Sequence, residues 1–239
     1  MTTTRPAVRA RPARTPALEQ PTSSREPHAT TEAHADANIE SRVARASPDI
    51  HPFDRMLLTA DGTVTTLLEA CTGEPIMTRT TRQTGPATLD RLLGVADGWW
   101  RQSDARLLEP APAEAVIARR VILHGARSGI AYVLAESLIA PERLPCPLAA
   151  RLQRAGASLG RLLAAGSVET RRELLHITAV RAGSASDHLG VPPGANLARR
   201  TYRILTARRA AAVVTEWLPR GRLAAMALGS DETDDRRCD

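Results

Sequence analysis

The chain has 239 residues, 43% of them hydrophobic, which is enough for one ordinary domain with a proper core and some residues to spare. Aromatics make up only 3%, so that core must be built from Leu, Val, Ile and Ala. The formal charge is +6 and all 32 basic residues are Arg. Carboxylates are interleaved with them, as in Glu169-Thr170-Arg171-Arg172-Glu173, and no motif has groove-reading geometry, so a nucleic-acid partner is not expected. Cys71, Cys146 and Cys238 are widely spaced and lack zinc-ligand spacing, so no metal is expected. No run approaches the roughly 18 apolar residues that span a bilayer, and no apolar leader opens the chain. Cytoplasm is therefore the expected compartment, with no membrane partner.

Residues 1–50 are rich in Thr, Ala, Pro, Arg and Glu and nearly free of large apolar side chains. Such a segment cannot bury enough surface to offset its ordering entropy, which predicts a disordered tail. The domain is expected over 51–228, followed by a short mobile tail over 229–239. Phe53–Leu58 reads as a short helix. Asp61-Gly62-Thr63 reads as a cap leading into a second helix through Ala70. Glu74–Arg82 is a weak strand, and Trp99-Trp100 suggests a hydrophobic plug or part of a lid. Ala113–His124 and Gly129–Ala140 flank a Gly-bounded loop and predict an antiparallel hairpin. Leu148–Ala155 and Leu159–Ala165 look helical, with Pro145 and Pro147 ahead and Gly166 behind. Val168–Val180, Arg199–Leu205 and Ala210–Leu218 return to strand, the last two joined across Thr206–Arg209. Hairpins with a few short helices give an α+β fold: a single antiparallel sheet of about six strands with the helices packed on it.

Strand alternation puts Ala115, Ile117, Arg119, Val121 and Leu123 on one face. Four of the five are apolar, so Arg119 is a guanidinium in an apolar setting and requires a carboxylate or an anionic ligand. Ala212, Val214 and Glu216 share a face of the last strand in the same way. The two charges either pair with each other or each meet a ligand; alternation alone does not choose. Ala131, Val133, Ala135 and Ser137 form a face of mostly small side chains, which suits either a ligand or close helix packing. Arg200, Tyr202 and Ile204 share a face on the penultimate strand. His124, His176 and His188 show no spacing suited to a metal or a nucleophile triad.

Several segments, taken in order, resemble the bacterial chorismate–pyruvate lyases, particularly their actinobacterial branch. They are Asp61-Gly62-Thr63-Val64-Thr65 with Leu67-Leu68-Glu69-Ala70, Arg119-Arg120-Val121-Ile122-Leu123, Ala135-Glu136-Ser137 and Leu159-Gly160-Arg161-Leu162-Leu163. Arg171-Arg172-Glu173, Arg200-Thr201-Tyr202-Arg203-Ile204 and Thr215-Glu216-Trp217-Leu218-Pro219 follow. The likeness runs from about Phe53 to Pro219. It implies a six-stranded antiparallel sheet with helices on one side and a buried ligand cavity.

The resemblance further implies that Arg119 grips a ring carboxylate and that Glu216 contacts a ring hydroxyl. Backbone groups of Leu159 and Gly160 would help bind the carboxylate, and Val64 falls on an apolar flap position. Ala135, where the family commonly has glycine, and Arg200 complete the expected substrate-binding set. Glu136 replaces an arginine of the better-known branch, and with Ala135 it is expected to reshape the pocket. The implied reaction converts chorismate to 4-hydroxybenzoate and pyruvate with no cofactor, in a monomer or a dimer. The alternatives are a non-catalytic small-molecule-binding module, like the effector domains of GntR-type repressors, and a lyase acting on a modified chorismate.

Overall fold

The computed structural model describes residues 50–60, 63–94, 102–152, 154 and 156–229. Both expected tails, save residues 50 and 229, lie outside the described residues, as do Trp99-Trp100 and the proposed cap at Asp61-Gly62. In chain order the elements are α1 (Pro52–Thr59), α2 (Val64–Thr72), β1 (Ile76–Gln83), α3 (Leu89–Leu93) and α4 (Gln102–Arg106). Next come β2 (Ile117–Gly125), β3 (Ala131–Ile139), a 3-10 turn (Pro141–Arg143), α5 (Cys146–Leu152), α6 (Leu159–Ala165) and β4 (Arg171–Arg181). The chain closes with α7 (Ala185–Leu189), β5 (Asn196–Thr206), β6 (Arg209–Pro219) and α8 (Arg222–Gly229). The strands form one six-stranded sheet in the order β1-β2-β3-β6-β5-β4, and every neighbouring pair is antiparallel. The fold is α+β.

Helix ends follow from local chemistry. Pro52 opens α1 behind His51, whose Nδ1 accepts from the Phe53 N–H at 3.3 Å. Gly73 closes α2 at φ +65°, a left-handed conformation that glycine adopts without steric cost. Glu69 then accepts from the Ile76 N–H at 3.0 Å, which fixes where β1 begins. Ser158 Oγ caps α6. The expected Ala113 start of β2 moves to Ile117, because Glu114 is held back in the preceding loop. Its carboxylate takes Arg143 Nε and Nη2 at 2.6 and 2.5 Å and the Ala111 N–H at 2.9 Å.

The sheet is covered on both faces, not on one. On the first face, Leu57, Val64, Leu68 and Leu223 of α1, α2 and α8 pack on Leu123, Val133 and Ala135. Leu148, Leu152, Leu162 and Leu163 of α5 and α6 pack beside them on Tyr202, Ile204 and Val214. On the opposite face Leu92 and Ala105, from α3 and α4, cover Ala118, Leu138 and Val213, and Ala185 and Leu189 of α7 cover Ile122 and Leu134. The physical cause lies in β2 and β3, where Val121-Ile122-Leu123 and Val133-Leu134 are apolar without interruption and so leave no face for water. A bulge at Tyr132, where Leu123 pairs with Val133 and His124 with Ala131, sends Ala131 to the opposite face. There it packs with the Ile122 and Leu134 cluster, so it drops out of the small-residue row expected from strict alternation.

Glu114 and Glu74 give the fold a defined acid sensitivity. The Arg143 guanidinium holds the Glu114 carboxyl down at about 2, against an ordinary 4.5. Hydrogen bonds from the Ser128 hydroxyl and N–H and from the Arg127 N–H do the same for Glu74, also to about 2. Carboxyls depressed in the folded state contribute stability that is fully present above their unfolded pKa and is lost as pH falls through the folded value. Urea unfolding should therefore show stability dropping between about pH 4.5 and about pH 2. Glu114→Gln should be less stable at neutral pH and flatter across that window; an unchanged slope would contradict the assignment.

Candidate functional site

On the first face, Arg119 of β2 stands opposite Ser137 of β3, which stands opposite Val214 of β6, which stands opposite Tyr202 of β5. The next row is Val121, Ala135, Glu216 and Arg200. Arg119 and Glu216 are thus two strands apart, about 10 Å in the hydrogen-bonding direction, and the side chains between them are Ala135 and Ser137. This gap of small residues is the floor of a cavity of about 60 Å³.

The wall includes Arg119, Glu216, Val64, Ala135, Leu159 and Gly160. The start of α2 brings Val64 over the sheet, and the capped start of α6 brings Leu159 and Gly160 beside it. Arg172, Tyr202, Ser137 and Thr78 are also on the wall. Neither Arg200 nor Glu136 is part of it. Arg200 lies behind Glu216, and Glu136 projects from the opposite face of β3, where Arg120 holds it at 2.6 Å. The expectation that Glu136 reshapes this pocket is therefore corrected: its neighbour Ala135 faces the cavity, and alternation turns Glu136 away.

The two central charges do not pair with each other. Glu216 is 4% exposed; its Oε2 accepts from Arg200 Nε at 2.6 Å and its Oε1 from the Tyr202 hydroxyl at 3.0 Å. Arg200, 2% exposed, also donates from Nη1 to the carbonyls of Leu57, Leu58 and Ala60 at 2.5, 3.2 and 3.4 Å. It thereby ties the C-terminal end of α1, where carbonyls lack helical partners, to the cavity's carboxylate. Burial, with Glu216 next to it, raises the Tyr202 hydroxyl well above its ordinary range, so it remains a donor. A carboxylate offers about four acceptor positions. Two are taken, and the remainder can serve a ligand.

Arg119 has a different environment. It is 2% exposed and donates from Nη2 to Thr80 Oγ1 at 2.9 Å, but its buried Nε has no partner. No carboxylate among the described residues pairs with it, and burial alone pulls its guanidinium below the usual range. Because Glu216 is already neutralised by Arg200, the cavity keeps a net positive charge at Arg119, with Arg172 also on its wall. Such a site favours an anion whose oxygens can satisfy the orphaned N–H. Thr80 and Arg172 were not singled out from the sequence. Thr80 sits on a strand with little apolar patterning, and Arg172 was visible only as part of the Arg-Arg-Glu motif.

Gly160 is a close-approach glycine. A Cβ there would lie 2.2 Å from Thr63 Cγ2, and a β-branched side chain has little freedom to yield. Gly160→Ala should separate α6 from the start of α2 and lower stability by about 1–3 kcal/mol. Chemical denaturation measures this, and an unchanged midpoint would show that the contact is loose.

Among the described residues, no three His, Cys, Asp or Glu are placed to hold a metal ion, and no helix is long and apolar enough to cross a membrane. The fold likeness to a solved structure is measurable: PhnF from Mycobacterium smegmatis matches with a TM-score of 0.50 at 13% identity, over 67% of this chain and 65% of PhnF. At that identity the match shows the fold alone. Sequence relatives are more specific. The chorismate pyruvate-lyase of Mycobacterium tuberculosis (strain ATCC 25618 / H37Rv) is 29% identical over 166 residues, 68% of this chain and 77% of the relative. The chorismate pyruvate-lyase of Mycobacterium leprae (strain TN) is 30% identical over 119 residues, half of each protein. A model described as "Chorismate pyruvate-lyase Rv2949c-like" matches residues 58–225, a span that takes in both central rows of the cavity floor and all the helices that wall it. The chain belongs to the Rv2949c-like chorismate pyruvate-lyase family.

Proposed function

We propose that the protein is a chorismate pyruvate-lyase, converting chorismate to 4-hydroxybenzoate and pyruvate without a cofactor. The observation that carries this reading is the buried, carboxylate-free Arg119 facing Glu216 across a floor of Ala135 and Ser137. That spacing suits a ring with a carboxylate at one end and a hydroxyl at the other. Family membership supplies the substrate class.

In the reaction the ring proton beside the hydroxyl leaves, and its electron pair completes the aromatic ring. The bond from the ring to the enolpyruvyl oxygen breaks with its electron pair on oxygen, and the released enolate takes up one proton at its methylene carbon to become pyruvate. Atoms balance with no oxidant or co-reactant. Aromatisation provides the driving force, so the protein's task is orientation and stabilisation of charge moving to the leaving oxygen. Arg119 anchors the ring carboxylate with paired hydrogen bonds. Backbone N–H groups of Leu159 and Gly160, in the first turn of α6 where helical acceptors are lacking, add donors. Arg172 lines the same cavity. Glu216 accepts from the ring hydroxyl and serves as proton acceptor or relay. Arg200 and Tyr202 position Glu216, and Arg200, which lies off the cavity wall, does not touch substrate.

The test is product analysis. Purified protein incubated with chorismate should yield 4-hydroxybenzoate and pyruvate in equal amounts, identified by NMR and mass. A different hydroxybenzoate would replace this reading with that of a lyase of altered substrate or regiochemistry. Saturable binding of 4-hydroxybenzoate with no turnover would replace it with a non-catalytic ligand-binding module.

A further inference from the structure

Back to back with the Arg119 site, a second and larger cavity of about 280 Å³ opens on the opposite face of the same sheet. Alternation builds it from the neighbours of the first site: Arg120 beside Arg119, Glu136 between Ala135 and Ser137, Arg199 beside Arg200, and Thr215 beside Glu216. Leu134, Leu138, Val180 and Val213 give it apolar walls, and α4 and α7 bring Asp104 and His188 to it.

Four of its charges are arranged in two couples, and Arg181 is also on its wall. Arg120 donates from both Nε and Nη2 to Glu136 Oε1, at 2.9 and 2.6 Å, so both bonds converge on one carboxylate oxygen. Arg199 Nη2 donates to Asp104 Oδ2, which also takes the Thr215 hydroxyl at 3.3 Å. The Arg199 guanidinium stands over the Trp217 ring, 5.9 Å from its centre. Arg199 is 9% exposed and its buried Nε has no partner. A buried donor without an acceptor costs free energy that a bound oxygen recovers.

We propose that this cavity is a second ligand site, distinct from the Arg119 site, that takes a small organic carboxylate with a short apolar body and takes up a proton as it does so. The carboxylate satisfies the Arg199 Nε–H, and the apolar part lies on Leu134, Leu138 and Val213. The proton goes to Glu136. Burial pushes the Glu136 carboxyl up to about 7 despite Arg120, which brings its protonation within reach of neutral pH. A neutral Glu136 removes a negative charge from the cavity and can donate a hydrogen bond to the incoming anion.

The charged groups around Glu136 in this cavity are Arg120 from β2, Arg199 and Arg181 from β5 and β4, and Asp104 from α4. His188 and Asp187 come from α7, and burial with the nearby arginines lowers the His188 ring below its ordinary 6.5. The site does not depend on the lyase reading, since Ser137 is the one residue that lines both cavities and no charged side chain is shared.

Benzoate is the probe, titrated calorimetrically into Arg119→Leu protein, in which the first cavity has lost its anchor. In parallel it is titrated into the unmodified protein, where a second saturable event beyond the one at the Arg119 site is expected, so that the test stands even if the variant folds poorly. Saturable binding is expected, about tenfold tighter at pH 6 than at pH 8, as a proton on a group of pKa about 7 requires. Near pH 7, buffers of different ionisation enthalpy should report uptake of about half a proton per ligand. Glu136→Gln should bind and lose the pH dependence. Arg199→Met combined with Asp104→Asn, which removes the charge couple together, should lose binding. Absence of saturable binding, or binding indifferent to both replacements, would overturn the proposal.

Discussion

Arg119→Leu should weaken binding of 4-hydroxybenzoate by at least about 30-fold, roughly 2 kcal/mol, and leave the melting temperature unchanged or higher. The two halves of this result come from the same feature. A guanidinium 2% exposed, with an unpartnered Nε and, among the described residues, only the Thr80 hydroxyl as side-chain partner, is a net cost to the folded state without ligand. Leucine fills much of the space and removes the orphaned donor, so the empty protein gains or breaks even. With ligand bound, the carboxylate loses its charge-assisted partner in a dry setting. A structural arginine would behave in the opposite way, with its loss destabilising the fold while binding survives. Calorimetric titration together with thermal unfolding of the same samples separates the two cases. Turnover of chorismate should fall with binding, since the anchored carboxylate persists from substrate to product.

The second large effect is expected at the Glu216–Arg200 couple. Both are nearly fully buried, 2.6 Å apart, so removing one partner strands a charge in the interior. Arg200→Leu and Glu216→Gln should each cost about 3–5 kcal/mol of stability. Arg200→Leu additionally frees three carbonyls at the end of α1. The double variant Arg200→Leu with Glu216→Gln should recover a substantial part of that loss, giving a coupling energy of at least about 2 kcal/mol in urea unfolding. It should nevertheless remain inactive, because Glu216 is assigned to the ring hydroxyl. Strictly additive losses would show that the couple is not the unit described here.

The fold was legible where period-two patterning is clean. The hairpins around Gly125–Gly129 and Thr206–Arg209 and the helix ending at Gly166 needed only turn residues and alternation. Arg119 and Glu216 stood out for the same reason, as charges in otherwise apolar rows. Alternation could not say what would neutralise them, since Arg200 reaches Glu216 from a neighbouring strand and pairing across strands depends on register. That is why Arg200, expected to touch substrate, lies behind the carboxylate.

Other features were hidden by local irregularities or by the weakness of the pattern. A one-residue bulge at Tyr132 reverses the side of Ala131, and period-two counting has no means of placing such an extra residue. The short helices α3, α4 and α7 are five residues each, less than two helical turns, so they leave little periodicity to read. Their presence makes the second face of the sheet a buried one. It also gives Glu136 an environment of its own, instead of the role in the first pocket that its neighbour Ala135 suggested.

The most direct test of the central claim compares 4-hydroxybenzoate with 4-hydroxybenzyl alcohol, which keeps the ring and the phenol and replaces the carboxylate with a neutral group. Titrated into the unmodified protein, the acid should bind saturably and the alcohol at least about 30-fold more weakly, the worth of a desolvated charge-assisted contact. Equal affinity for the two would contradict an arginine held unpaired for a carboxylate.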